Sequence, residues 1–208
     1  MNRLPIEQRR DQLVAAALAV ATRDGLERTT MRAIAAEAGV ALGVLHYCFT
    51  DKAEIMRAVA RHIHTQGLNV ALAAVGTGDP GELVEHVVAA YAGVVIGARE
   101  QYLLQHELTV AALRDPELTG LAAEQLATKL ANARTFLEAV GPRAGLVWAV
   151  PVEDVARRVV QSIDGAVLAW LVDHDDRGLR AALATVGRSV RALGQVHERR
   201  SAELSPLP

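Results

Sequence analysis

Apolar positions return every three or four residues along most of the chain. Leu13, Ala17, Val20 and Ala21 recur at this spacing between Glu7 and Arg23, which predicts an amphipathic helix closed by Gly25. Thr29 and Thr30 are natural N-caps for a short helix from Met31 to Ala38. Gly39 ends that helix at a position where a positive φ costs a glycine little. A second short helix, Ala41 to Tyr47, follows at once. Asp51 and Glu54 make a D-x-x-E start signal, a variant of the capping box, for a longer helix to about Val75. The run Gly76-Thr-Gly-Asp-Pro-Gly81 interrupts the pattern. Helices are then predicted near Glu82–Ala98, Glu100–Arg114, Glu117–Val140, Val152–Asp173 and Arg177–Val196, with a two-proline loop at Gly141–Pro151. No stretch alternates with period two. The fold class is therefore all-α, with about nine helices.

The informative segment is Thr30–Glu54, TMRAIAAEAGVALGVLHYCFTDKAE. Two short helices joined by a glycine bend form a helix-turn-helix pattern. Ala35 is small enough for the helices to cross closely. Ile34, Ala38, Val40, Leu45 and Cys48 fall where the pair needs an apolar interior, and Phe49 follows as a plug. The second helix is then held outward, short and rigid, as a rod for a major groove. A helical hairpin that only packs in a core is the competing reading. It would not need His46, Tyr47 and Lys52 projecting beside the bend.

From Arg9 to about Arg61 the chain resembles the DNA-binding domain of the TetR family of regulators. The resemblance rests on a long first helix ending in Asp24-Gly25, then TTMRAIAAEAGV, GVLHYCF and DKAEI. ALRDPEL (Ala112–Leu118) and IDGAVLAWLVD (Ile163–Asp173) resemble phrases of the choline-repressor-like branch. The resemblance implies a three-helix DNA-binding head at 1–52, a larger ligand-binding and dimerisation domain at 53–198, and a flexible tail at 199–208. It implies that Thr30, Tyr47 and Lys52 meet the phosphate backbone, and that Ala41, Leu42, Gly43, Val44 and His46 face base edges. Many members carry Ser and Lys where this chain has Ala41 and Leu42, and Thr where it has Val44. Without those polar groups, hydrogen-bonded readout falls to His46, with Arg32 and Tyr47. Leu42 and Val44 suit thymine methyls, so the expected site is read through A·T contacts and DNA shape.

In the body, Ser162, Gly165, Ala166 and Ala169 form a small-residue stripe, and Gly187 and Gly194 repeat one heptad apart. These six are the expected homodimer interface, a four-helix bundle from two chains; packing within one chain is the alternative. Tyr91, Tyr102, His106 and Trp170 interrupt apolar stripes and are candidate ligand contacts, each with a plain core role as the alternative. The implied mechanism is a population shift: a largely apolar small-molecule effector moves the fourth helix and the separation of the heads.

Composition narrows the field. The chain is 51% hydrophobic, 22% charged and only 3% aromatic, a balance of folded helical proteins. Residues 1–61 hold nine Lys/Arg against seven Asp/Glu, while the remainder is net acidic. A mildly basic head suits a polyanion such as double-stranded DNA. The lone Cys48 excludes an internal disulfide, and no charge-free run is long enough to span a bilayer, so a cytoplasmic protein is expected. Cys48 itself reads as a buried small hydrophobe. Gly76, Gly78 and Gly81 match G-x-G-x-x-G formally but follow an Ala-rich helix, with Pro80 inside the motif. No H-E-x-x-H or E-x-x-H occurs, and no activated nucleophile is evident. No metal, no cofactor and no enzyme activity is expected. The alternative function is a helical-bundle enzyme or carrier without DNA affinity. A helix-turn-helix protein with no effector would lack a cavity of roughly 300 Å^3 or more.

Overall fold

The computed structural model describes residues 4–75 and 80–196. The break at Gly76–Gly78 and the tail beyond 196 lie outside the described residues. Among the described residues nine α-helices follow in order: α1 (Ile6–Asp24), α2 (Met31–Glu37), α3 (Leu42–Cys48), α4 (Lys52–Ala73), α5 (Pro80–Gly97), α6 (Arg99–Ala112), α7 (Leu121–Arg143), α8 (Val152–Asp173) and α9 (Asp176–Ala192). A 3-10 turn at Pro116–Leu118 leads into α7.

The expected caps form, with a division of labour between the two threonines. Thr30 Oγ1 accepts from the Ala33 amide at 3.1 Å and starts α2. Thr29 is fully buried, and its hydroxyl donates to the Gly25 carbonyl, closing the preceding turn. Asp51 accepts from the Glu54 amide at 2.7 Å, and Glu54 reaches back to the Thr50 amide at 2.8 Å. That reciprocal pair satisfies two of the orphan donors at the start of α4.

Two short strands were not anticipated. Leu146–Trp148 (β1) pairs antiparallel with Gly194–Val196 (β2), with Trp148 opposite Gly194. Three residues are too few for a period-two signature to register, and the pairing joins segments distant in sequence. The predicted two-proline loop is shortened from both sides. Helix α7 runs on through Pro142, and β1 takes up part of the rest. The last helix stops at Ala192 for the same reason.

One apolar core unites α1–α4 and continues into Leu104 and Leu108 of α6, Leu118 and Leu121. The head therefore shares its core with the body across the expected boundary at 52/53. In the body, α7 packs on α4 and α8, while α9 packs on α5 and α8.

Candidate functional site

The turn between α2 and α3 is built by backbone hydrogen bonds. Gly39 has φ +65°, its amide donates to the Ala36 carbonyl, and the Val40 amide donates to the Ala35 carbonyl. This is the paired-bond C-terminal motif that favours glycine. It redirects the chain so that α3 lies with Leu45 and Cys48 buried beneath it.

Three long polar side chains brace the head, the first of them at the end of α3 itself. Arg10 of α1 donates to the Cys48 carbonyl at the end of α3, pairs with Glu54 at 2.8 Å, and lies 4.0 Å over the Phe49 ring. Gln12 donates to the Ala38 carbonyl at 2.8 Å. Lys52 donates to the Leu26 carbonyl at 2.8 Å. Burial pulls the Lys52 ammonium below its usual value, opposed by Asp115, Glu117 and Glu27. The ammonium keeps two further donors for another acceptor.

Of the residues expected at DNA, Thr30, Arg32, Ala41, Gly43, Val44, His46 and Tyr47 are exposed. Tyr47 is 75% exposed, unusual for a large aromatic with no partner to cover it. Leu42 differs: it is half-buried and packs against the core of the head, which leaves less of it to meet a thymine methyl.

The body encloses a cavity of about 200 Å^3 among α4 to α9, mostly apolar in its lining. Tyr91, Tyr102 and His106 are among its lining residues. Tyr102 is buried, and Tyr91 and His106 are half-buried. Burial raises the two tyrosine hydroxyls, which pair with each other. Gly67 of α4 packs beside them: a Cβ there would stand in ordinary contact, 3.6 Å from the Tyr91 ring and 3.8 Å from the Tyr102 hydroxyl. Burial also lowers His106, with Lys129 adding to the effect and Asp164 opposing it.

Trp170 requires a correction. It does not line this cavity. It sits in an apolar cluster behind the cavity wall, with Leu171 and with Val167 and Leu183, which do line the cavity, and its indole donates to Asp176 at 2.8 Å, joining α8 to the start of α9. Two of the dimer candidates also need correcting. Gly187 is buried and lines the cavity. Gly194 belongs to β2, where a Cβ would meet Leu146 at 3.2 Å. Ser162, Gly165 and Ala169 are exposed on α8 beside Leu168 and Val172, which are 50% and 78% exposed; Ala166 is half-buried behind them.

Several cavity residues escaped the sequence reading. His64 of α4, Phe136 of α7 and Trp148 of β1 line it, as does a Lys129–Asp164 ion pair with both oxygens 2.8 Å from the ammonium. His64 carried a usable signal, because it interrupts the buried series Met56, Val59, Ala60, Ile63, Gly67. The ion pair joins α7 to α8 and had no local signal. His64 is buried, and burial, aided by Lys129 and opposed by Asp164, lowers its pKa to about 4.

A rigid outward helix on a helix-turn-helix, set on a helical body with an internal cavity, defines a ligand-responsive DNA-binding transcriptional regulator. Comparison with known proteins agrees. Residues 13–59 match "Bacterial regulatory proteins, tetR family", and residues 79–193 match "Tetracyclin repressor-like, C-terminal domain". The chain belongs to the TetR family.

Over 175 residues it is 29% identical to the HTH-type nicotine-responsive transcriptional repressor HdnoR of Paenarthrobacter nicotinovorans, covering 84% of this chain and 89% of that one. The crystal structure of multidrug binding protein EbrR complexed with imidazole is 27% identical, with a TM-score of 0.60 over 86% of this chain and 94% of that one. A regulator from Mesorhizobium loti MAFF303099 shares the fold with a TM-score of 0.73 at 16% identity, over 93% of this chain and all of that one. Of these, HdnoR is named as a transcriptional repressor. Among the described residues no helix is long and apolar enough to cross a membrane.

Proposed function

We propose that this protein is a cytoplasmic repressor that binds a palindromic operator as a two-fold homodimer and leaves it when a compact, largely apolar effector enters the body. The carrying observation is the geometry of α3. Gly43, Val44, His46 and Tyr47 face solvent above the buried Leu45 and Cys48. A rod so placed fits a major groove, and two of them need a two-fold dimer. The exposed face of α8, with Ser162, Gly165 and Ala169 flanked by Leu168 and Val172, is the apolar surface that a second copy would cover.

The cavity bears on the effector. Its volume of about 200 Å^3 falls short of the roughly 300 Å^3 expected above of an effector site, so it suits at most a small mono- or bicyclic molecule, and the effector reading leans on the relatives more than on this volume. Relatives named for nicotine, or solved with imidazole or ethidium, support a small-molecule effector here. Helix α4 carries both the cavity residue His64 and, at its start, the Asp51–Glu54 cap that adjoins α3. A ligand that moves α4 therefore acts on the head, provided it favours one of two states.

Gel shifts with DNA flanking the protein's own gene, at two salt concentrations, test this reading. Specific binding that falls steeply with salt is expected. Tyr47→Ala weakens it about fivefold without changing the melting temperature. Saturation mutagenesis of the site should find A·T pairs and shape dominant, because Gly43 and Val44 offer no side-chain hydrogen bond. An inducer that splits the dimer into monomers, instead of weakening operator binding by the intact dimer, contradicts the proposed mechanism.

A further inference from the structure

Aromatic residues are scarce in this chain and unevenly spread. It carries two Trp, three Tyr and two Phe, and four of these, Tyr91, Tyr102, Phe136 and Trp148, line the mostly apolar cavity of the body. The same lining holds the Lys129–Asp164 ion pair. An ion pair in an apolar wall adds little to stability, because desolvation offsets the attraction, so stability does not account for its position.

The two partners are unequally committed. The Lys129 ammonium lies 2.8 Å from both Asp164 oxygens, and the Lys129 side chain is only 17% exposed, against 39% for Asp164. A carboxylate has about four acceptor positions, and the one ammonium fills about two of them. Asp164 therefore keeps acceptor capacity that Lys129 does not use. Burial is the first cause of the pKa shifts at Tyr91, His64 and His106, and the Asp164 carboxylate acts on all three, which places it among them. Burial, aided by Lys129, also holds both histidines below their usual value and so uncharged at neutral pH. No imidazolium there repels a cation. The lining has one further charged group, the exposed Arg191.

From the grouping of a partly open carboxylate with four aromatic side chains, we infer that this cavity binds an organic cation. The ligand is a protonated amine or nitrogen ring whose N–H groups take the place of Lys129 on Asp164, with its apolar part against the aromatic rings. An anion would meet the negative faces of those rings and would have to win Lys129 from Asp164. The exchange at Asp164 releases the tie between α7 and α8. One turn further along α7, Asn132 donates to the His64 carbonyl of α4 at 3.1 Å. Helix α7 thus carries both the tie that the ligand breaks and a tie to the helix that leads to the head. This inference rests on the effector reading above and gives that effector a cationic nitrogen.

The test titrates three probes of near-equal size into the full chain at neutral pH: benzylamine, benzyl alcohol and benzoate, a cation, a neutral molecule and an anion. Binding is followed by calorimetry and thermal melting. Benzylamine should bind about tenfold or more tightly than the other two, as expected for a charge-assisted hydrogen bond in an apolar site. Asp164→Asn should remove that preference and leave benzyl alcohol unaffected. Lys129→Met removes the competing ammonium and should strengthen benzylamine binding about tenfold, so it keeps the inference testable if Asp164→Asn does not fold. Benzyl alcohol binding as tightly as benzylamine overturns the inference, and so does weaker benzylamine binding in Lys129→Met. Benzoate binding tightest, and lost in Lys129→Met, overturns it by making Lys129 the polar anchor. Both of those ligand preferences leave a small-molecule effector standing. No stabilisation by benzylamine at about 10 mM also overturns the cation site. Salt-dependent operator binding is measured separately, so its loss alone tells against the regulator reading.

Discussion

In the head, Arg10, Gln12 and Lys52 each end on a backbone carbonyl, and Thr29, Thr30 and Asp51 close the turns between helices. In the body, the buried His64 ring leaves its Nε2 unpartnered, and a mostly apolar cavity separates the helices. The contrast follows from what each part must hold constant. A helix that docks in a groove has to keep its orientation, so each of its supports is anchored on the backbone. A ligand site has to exchange partners, so its polar groups are left available and its packing incomplete. The shared core through Leu104 and Leu108 lets a shift in the loosely packed part reach the tight one.

Matched truncations test that contrast most strongly. Leu45 is fully buried beneath the outward helix, so Leu45→Ala should cost about 3–5 kcal/mol and abolish DNA binding. Leu68→Ala, at a half-buried wall of the mostly apolar body cavity, should cost much less, because one side of that residue already faces empty space. Equal losses in chemical denaturation would erase the distinction between the two regions.

Acid should strike the body through His64. Its folded pKa of about 4 lies below the ordinary 6.5 of the unfolded chain, so the unfolded state takes up a proton first as pH falls. Stability is unaffected above about pH 7, declines between about 6.5 and 4, and has lost on the order of 3 kcal/mol below that. Lys129 and Asp164 act on the ring from the mostly apolar body cavity, and Arg57, Arg61 and Glu124 lie with it on its other side, between α4 and α7. His64→Gln should flatten this part of the pH–stability curve. Parallel curves for the two proteins would remove His64 as the cause.

A smaller effect belongs to the bend. Gly39→Ala meets no atom within 4 Å but forces a Cβ onto a φ of +65°, costing about 1–2 kcal/mol and reducing operator affinity as α3 reorients. The smallest expected change is Trp170→Phe. Losing the bond to Asp176 should cost about 1 kcal/mol in thermal unfolding and leave probe binding in the cavity unchanged. Loss of ligand affinity would return Trp170 to the cavity.

The head was legible because its determinants are local. Thr30, Gly39, Asp51 and Glu54 act within four residues of their partners, and the apolar spacing of α1 to α4 sets which faces turn inward. The same logic found Tyr91, Tyr102 and His106, since a polar group in an apolar stripe must face either a partner or a cavity. It misplaced Trp170, because an indole in that position can equally donate to a neighbouring carboxylate.

Sequence alone thus determined the helices, the bend and the outward rod, all products of short-range backbone and spacing constraints. Only the tertiary structure decided which polar residues share a space. The Lys129–Asp164 pair and the β1–β2 pairing each join segments more than thirty residues apart, and Arg57 and His64 meet Gln125 across a helix interface. Such meetings depend on how whole helices pack against one another, and no repeat or motif along the chain records that angle.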